Sequence, residues 1–355
     1  MRPLDEERYS RQILFRELGA AGQERLLAAS AVLVGCGALG TAIAELLVRA
    51  GLGRLRIVDR DFVEPSNLQR QTLFDEADAR DAVPKAVAAE RKLRAINSGV
   101  ALEGVVADLT PGNIEELLGG FPLLLDGTDN FESRLLLNDF SLARGVPWIY
   151  AAVLGSYGLS MTIRPSATPC LACWLEPEAG SKSGGNGADA ARSHAASQMT
   201  CDTAGVLNTA VHAIASVAAM EAVKLAAGRE DALTGKLFSL DVWTGHAQAV
   251  RMARNPNCRA CARRDFTYLE GEAQPHVTMC GRDSVQIHER ARRLNLEELA
   301  ARLRPVVADV RSNGFLLRFR VPPHEVTVFA DGRAVIKGTQ DAAVARSLYA
   351  RFLGA

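Results

Sequence analysis

The sequence lacks an excess of charge of either sign, and it lacks an obvious export or anchoring segment. Its 355 residues carry 41 lysines and arginines against 41 aspartates and glutamates, so overall charge does not favour binding to nucleic acid or to an anionic membrane. The charged first ten residues contain no apolar run, so we expect no signal peptide. The most apolar later segment, Val206–Ala227, contains His212, Glu221 and Lys224, and we interpret it as a buried or interfacial helix that does not span a membrane.

Histidine is scarce, with 6 in the chain, and none forms a pattern with a carboxylate that is typical of general-base catalysis. Cysteine is better represented, with 7 in the chain. In a chain without an export signal, cysteine pairs indicate metal or redox chemistry before disulfides, and the cytoplasm is the expected compartment.

Four of the cysteines form two C-x-x-C pairs, Cys170 with Cys173 and Cys258 with Cys261. Two such pairs with no histidine nearby predict a tetrahedral Cys₄ zinc site. Four thiolates would leave no open coordination position, so we expect this zinc to be structural. Redox dithiols and buried free thiols are the alternatives.

The segment that organises the chain is a glycine-rich turn between an apolar strand, Ala31–Val34, and an apolar helix that ends near Gly51. The turn has the pattern G-x-G-x-x-G, with its glycines at Gly35, Gly37 and Gly40. Glycines at these positions let a phosphate approach the backbone amides at the start of the helix. The pattern predicts a nucleotide-binding crevice in a Rossmann-like, doubly wound α/β sheet.

A second strand, Leu55–Val58, ends at Asp59, where an acidic residue commonly accepts hydrogen bonds from ribose hydroxyls. A dinucleotide dehydrogenase has no obvious need for the polar residues that follow, Ser66-Asn67-Leu68-Gln69-Arg70-Gln71 and Pro84-Lys85. Together with Arg8-Tyr9-Ser10-Arg11-Gln12 upstream and Asp126-Gly127-Thr128-Asp129-Asn130 downstream, they make residues 5–265 resemble the ThiF/MoeB/HesA adenylyltransferases. These enzymes are the bacterial relatives of the ubiquitin-activating enzymes.

The resemblance implies a homodimer that uses ATP and Mg²⁺ to adenylate the C-terminal carboxylate of a small protein. That partner would be a β-grasp ubiquitin-like or sulfur-carrier protein that ends in Gly-Gly, and nucleic acid and membranes would have no part in the reaction. By resemblance, the residues that contact ATP are Gly35, Gly37, Gly40, Asp59, Asp61, Asn67, Arg70, Gln71, Lys85, Asp129 and Asn130. Among these, Arg70, Lys85 and Asp129 would be catalytic, and Asp129 would also hold the magnesium ion.

Two further residues are assigned by the resemblance. Arg11 would reach the ATP phosphates of the opposite subunit, where a guanidinium suits phosphate oxygens. Cys201, in Met199–Val206, would become the covalent carrier of the activated partner. A helix that starts near Ala204 would lower the pKa of its thiol. The alternatives are a solvated helix face for Arg11, a helix N-cap for Asp129 and an inert thiol for Cys201.

The domain prediction is an ATP-binding adenylyltransferase domain over residues 1–268, a linker over 269–276 and a small α+β domain over 277–355. We interpret the last as a docking module for a carrier protein or a downstream enzyme. Cys280 within it is interpreted as a structural thiol, with a sulfur acceptor as the alternative. The preferred outcome is transfer through Cys201 toward a thiocarboxylate with a sulfur donor. The alternatives are a Cys201 thioester passed to a conjugating enzyme, a zinc-containing NAD-dependent dehydrogenase, and an inactive scaffold subunit.

Overall fold

The computed structural model describes residues 3–175, 205–271, 284–287 and 293–353. The chain separates into two compact units, one formed by Met1–Arg80 with Pro84–Glu272 and the other by Asp81–Val83 with Ala273–Ala355. Cys201, Cys280 and residues 272–276 of the predicted linker lie outside the described residues. The domain boundaries predicted from the sequence therefore stay predictions.

Apolar, β-branched runs form the sheet of the larger unit. Its strands are β1 (Ser30–Val34), β2 (Arg54–Asp59), β3 (Ala101–Val106), β4 (Leu124–Asp126), β5 (Trp148–Leu154), β6 (Tyr157–Ile163), β7 (Leu237–Asp241) and β8 (His246–Val250). Their order is β3-β2-β1-β4-β5-β6-β7-β8. The strands from β3 to β5 are parallel, and the rest continue antiparallel. The strand order reverses between β1 and β4, and sheets of this kind bind ligands at the carboxyl ends of strands at such a switch point.

The helices of the larger unit cover this sheet. They are α1 (Pro3–Ile13), α2 (Gly19–Ala28), α3 (Ala38–Ala50), α4 (Glu76–Arg80), α5 (Lys85–Ile96), α6 (Ile114–Leu118), α7 (Phe131–Arg144), α8 (Ala172–Leu175) and α9 (Asn208–Ala226). The sequence predicts that α6 starts at Pro111, but the Asn113 side chain bonds back to the N–H of Thr110 at 2.8 Å and to the carbonyl of Asp108 at 2.8 Å. This local turn delays the helix to Ile114.

Among the described residues, α9 is the one helix whose length and composition would allow it to cross a membrane, and half of it is buried inside the structure. It packs against α3, β5 and β6. Its buried Glu221 accepts hydrogen bonds from Thr162 at 2.8 Å and from Lys224 at 2.6 Å. The carboxylate of Glu221 on α9 is thus buried and bonded to Thr162 on β6. Because buried carboxylates need such partners, we interpret α9 as a core helix.

The smaller unit is an antiparallel sheet packed on two helices. Its strands are β9 (Ser284–Ile287), β10 (Ala308–Ser312), β11 (Leu316–Val321), β12 (His324–Phe329) and β13 (Ala334–Lys337), in the order β10-β11-β12-β13-β9, and its helices are α10 (Leu296–Leu303) and α11 (Ala342–Leu353). Alternate residues such as Phe319 and Val328 bury one face against Leu299 and Phe352. The predicted fold class, a Rossmann-like α/β sheet with a separate α+β portion, is confirmed.

Candidate functional site

The glycine turn joins β1 to α3 and packs tightly against the loop that follows β4. Gly35 has a φ of +87°, and a Cβ there would lie 2.6 Å from the carbonyl oxygen of Gly127. A Cβ on Gly40 would lie 2.0 Å from the carbonyl oxygen of Gly35. These two glycines are therefore required by the close approach of backbone segments, whatever ligand the turn holds.

Gly37 is different because the space beside it is open. A Cβ on Gly37 would have one neighbour within 4 Å, the Nε2 atom of Gln71 at 3.9 Å. Gly37 immediately precedes α3, so the first amides of that helix face this space. The geometry fits an anion bound at the N-terminus of α3.

The loop after β2 forms a wall of the same space. It is ordered by its own side chains: Asn67 Oδ1 accepts the N–H of Glu64 at 3.0 Å, and Arg70 donates to the carbonyl of Ser66 at 2.8 Å. Among the described residues, the buried Ser66 Oγ and Gln71 Oε1 have no hydrogen-bond partner. A buried polar atom without a partner costs about 1–3 kcal/mol, so a ligand that donates a hydrogen bond to Gln71 Oε1 would remove that cost.

Asp59 ties the glycine turn to this loop. Its Oδ2 accepts the N–H of Cys36 at 2.5 Å, and its Oδ1 accepts the N–H of Asp61 at 2.7 Å. Burial raises the pKa of the Asp59 carboxyl, while the charge of Lys85 acts in the opposite direction. A carboxylate has about four acceptor positions, so Asp59 can still accept hydrogen bonds from a ribose.

Lys85 is the first residue of α5, and its ammonium group points toward carboxylates. Its Nζ lies 3.1 Å from Oδ2 of Asp61, although its side chain is only 9% exposed. Burial acts to lower the pKa of Lys85, but Asp61, Asp59 and Asp129 outweigh it and raise the pKa above its ordinary value. Of the predicted residues, Asp61 is thus paired with the ammonium group of Lys85, and the charges of Asp59 and Asp129 also act on it.

Asp129 lies on the loop that follows β4, and a buried ion pair holds that loop. Asp126 Oδ1 accepts the backbone N–H of Thr128 at 2.9 Å and its hydroxyl at 2.7 Å. Arg134 of α7 donates to Asp126 at 3.2 Å and to the carbonyl of Thr128 at 2.6 Å. Asn130 is the N-cap of α7 and accepts a backbone N–H from its first turn at 2.8 Å. The exposed Asp129 is therefore not needed as a cap.

Arg11 is exposed in the last turn of α1. Its neighbour in the motif, Arg8, donates to the carbonyl of Ile96 at 3.1 Å. Ile96 ends the helix that Lys85 begins, and at 1.5 Å per residue the two ends of that helix lie about 17 Å apart. Arg8 is therefore held at the end of α5 opposite to Lys85.

The four paired cysteines meet in one cluster. Their Sγ atoms all lie within 4.8 Å of one another, with 3.8 Å between Cys170 and Cys173, 3.6 Å between Cys170 and Cys258, and 3.4 Å between Cys173 and Cys261. Tetrahedral Zn–S bonds of about 2.3 Å place sulfurs about 3.8 Å apart. The cluster could therefore hold a metal ion.

The sequence reasoning missed three buried polar residues of α7, namely Arg134, Asn138 and Asp139. A signal was available, because Arg134 and Asn138 are four residues apart and lie on one side of a helix that also contains Leu135, Leu136 and Leu137. Polar residues at helical spacing among leucines indicate buried hydrogen bonds. The roles assigned to the predicted site residues stay predictions.

Fold and site together define a Rossmann-like protein with a glycine turn whose geometry fits an anion and with a four-cysteine cluster. Residues 9–260 match the model of the ThiF family, and the chain belongs to that family. It is 43% identical over 353 residues to the sulfur carrier protein ThiS adenylyltransferase of Bacillus subtilis, a match that covers 98% of this chain and 99% of the relative. That match is long enough to include the smaller unit.

Other relatives match less of the chain. The SAMP-activating enzyme E1 of Haloferax volcanii is 35% identical over 74% of this chain and 94% of its own length. The molybdopterin-synthase adenylyltransferase of Escherichia coli is 34% identical over 72% of this chain and 96% of its own length. Among solved structures, Escherichia coli MccB with ATP aligns with a TM-score of 0.60 at 21% identity, covering 72% of this chain and 74% of that one. This structural likeness shows a common fold.

Proposed function

We propose that this protein adenylates the C-terminal carboxylate of a small sulfur-carrier protein that ends in Gly-Gly. The observation that carries the proposal is the convergence of the open space at Gly37, the unpartnered Gln71 oxygen, the buried Lys85 ammonium group and the exposed Asp129 carboxylate. The Bacillus subtilis relative, named as a ThiS adenylyltransferase, supports this reaction class because it matches nearly the whole chain. Family membership argues against the dehydrogenase alternative.

In the proposed reaction a carboxylate oxygen of the carrier forms a bond to the α-phosphorus of ATP. The bond from that phosphorus to the bridging oxygen breaks, and pyrophosphate leaves with its electrons. Because the carboxylate is already ionised, no general base is required, and catalysis depends on positioning and charge stabilisation. The amides beside Gly37 would hold phosphate oxygens, and Lys85 and Arg70 would carry the positive charge. A magnesium ion at Asp129 would neutralise further phosphate charge.

The proposal includes a homodimer in which Arg11 serves the partner's site. Arg8, one turn before Arg11, binds the end of α5 that is distant from Lys85. Directly after α1, Leu14 and Phe15 are 72% and 58% exposed. Apolar side chains so close to a functional motif fit a protein interface. A second subunit that covers Leu14 and Phe15 would account for both observations.

The four-cysteine cluster is proposed to hold a structural zinc ion, because its sulfur separations match tetrahedral thiolate coordination. Zinc bound there would tie two distant chain segments together. Cys201 is proposed to carry the activated carrier: its thiolate attacks the acyl-adenylate and AMP leaves. A sulfide donor then attacks the resulting thioester, which releases the carrier thiocarboxylate and the Cys201 thiolate. Conjugation through a Cys201 thioester is the second outcome, favoured by the relative named as a SAMP-activating enzyme E1.

Mass spectrometry of the carrier and the enzyme distinguishes these outcomes. The protein is incubated with Mg·ATP and with ThiS, the carrier named for the Bacillus subtilis relative, first alone and then with a sulfide donor. The proposal predicts carrier that is heavier by one AMP, and a thiocarboxylate once sulfur is supplied. If the carrier is found attached to Cys201 and no thiocarboxylate forms, the result supports the alternative, conjugation through a Cys201 thioester. Carrier of unchanged mass, with ATP intact, contradicts the proposed function.

A further inference from the structure

Both cysteine pairs of the cluster are fastened to neighbouring residues of one helix, α7. Asn138 Oδ1 accepts the backbone N–H of Leu171, which lies inside the first pair, at 2.8 Å. The carboxylate of Asp139 accepts two hydrogen bonds from the guanidinium of Arg259, which lies inside the second pair, at 3.1 and 3.3 Å. Consecutive residues of a single helix thus hold two chain segments that are far apart in sequence.

The contacts around Asp139 continue past the second cysteine pair. Asp139 also accepts the backbone N–H of Tyr268 at 3.2 Å. Arg259 donates to the carbonyl of Asp265 at 2.5 Å, and its guanidinium lies 5.3 Å from the centre of the Tyr268 ring. Asn138 and Asp139 are both completely buried. A buried carboxylate with this many donors has little freedom to move.

We propose that Asn138 and Asp139 are positioning residues that bring the two cysteine pairs together before a metal ion binds. The proposal rests on the zinc site proposed above. Neither residue is a ligand. Asn138 orients the first pair through the backbone N–H of Leu171, and Asp139 orients the second pair through the side chain of Arg259. The ion then meets four Sγ atoms that already lie within 4.8 Å of one another. Pre-organised segments bind more tightly because less chain has to be ordered on binding.

The size of the effect follows from the behaviour of groups that support metal ligands. Loss of such a partner typically weakens metal binding about 10–100-fold. We expect Asp139→Asn and Arg259→Met each to weaken zinc binding in that range. Both substitutions remove the same contact between Asp139 and Arg259. The variant that carries both should therefore bind zinc about as weakly as the more affected single variant. Asn138→Leu should weaken binding through the first pair.

The test measures zinc affinity of the full chain by competition with a chromophoric chelator, and it records the absorption spectrum of the cobalt-substituted protein. At saturation, the spectrum of each variant should keep its tetrahedral thiolate bands, because the ligands are unchanged. The matched control is Arg144→Met, at an exposed residue of the same helix that pairs with Glu115 at 2.7 Å. The control should bind zinc like the wild type.

Wild-type zinc affinity in Asp139→Asn, Arg259→Met and Asn138→Leu would overturn the positioning proposal while leaving the zinc site intact. Equal weakening in Arg144→Met would also overturn it, because the effect would then be a general loss of helix stability. A wild-type protein that binds no zinc would overturn both the zinc site and the positioning role. Arg259 keeps 20% of its side chain exposed, so Arg259→Met serves as the test if the buried Asp139→Asn variant does not fold.

Discussion

Gly37→Ala separates the role of the glycine turn in binding from its role in folding. The added methyl group would meet one atom within 4 Å, the Nε2 of Gln71 at 3.9 Å, so we expect the free energy of unfolding to change by no more than about 1 kcal/mol. The same methyl group would occupy the space through which a phosphate reaches the first amides of α3. Loss of one hydrogen bond between those amides and a charged phosphate costs about 1.5–3 kcal/mol, which corresponds to a roughly 10–150-fold loss of ATP affinity.

Gly40→Ala is the matched control because it adds the same methyl group three residues further along the turn. There the new Cβ would lie 2.0 Å from the backbone oxygen of Gly35, and a backbone atom cannot move aside by changing rotamer. Overpacking of this kind costs about 1–3 kcal/mol, which lowers the unfolding temperature of a domain this size by roughly 2–6 °C.

The assay pairs isothermal titration with ATP and thermal unfolding of the same samples. Gly37→Ala should unfold like the wild type and bind ATP roughly 10–150-fold more weakly, whereas Gly40→Ala should unfold at a lower temperature. Wild-type ATP affinity in Gly37→Ala would refute the argument that the phosphates lie over this turn. Unchanged stability in Gly40→Ala would refute the packing argument.

Three other substitutions or treatments test separate parts of the structure. Asp129→Ala should abolish ATP–pyrophosphate exchange at an unchanged unfolding temperature because Asp129 is exposed; near-normal exchange would remove it from the site. Burial acts to raise the pKa of Glu221, but hydrogen bonds from Lys224 and Thr162 lower it below its ordinary value. The ionised Glu221 therefore stabilises the folded protein at neutral pH, and this contribution is lost as the pH falls through the lowered pKa. Glu221→Gln should therefore cost about 1–3 kcal/mol at neutral pH and less in acid, as measured by urea unfolding; an equal cost at both pH values would contradict the charge argument. Elemental analysis should find about one zinc per chain, and a chelator should lower the unfolding temperature; a metal-free protein of equal stability would contradict the zinc site.

Local sequence signals were sufficient to predict the glycine turn and the strands beside it. The apolar run before Gly35 and the acidic residue Asp59 at the end of β2 are both expected for buried parallel strands that end at a ligand crevice. Two C-x-x-C pairs were sufficient to predict the cysteine cluster, because so few residue patterns bring four thiols together. The sequence also predicted a buried or interfacial helix over Val206–Ala227, and the structure has α9 there, half-buried against α3, β5 and β6.

The supporting contacts were harder to predict because they join residues that are distant in sequence. Nothing near Asp139 indicates that its partner is Arg259, which lies 120 residues further along the chain. Such pairs form only after the sheet has brought the elements together. The delayed start of α6 was missed for a local reason, since Asn113 competes with the helix for backbone hydrogen bonds.

The most direct test of the proposed activity is ATP–pyrophosphate exchange by the purified protein with a carrier that ends in Gly-Gly. Exchange reports reversible formation of the acyl-adenylate and does not depend on any later transfer through Cys201. We predict exchange with the intact carrier and none with a carrier that lacks its last two glycines. Exchange that is indifferent to those glycines, or no exchange with the intact carrier, would contradict adenylation of the carrier terminus.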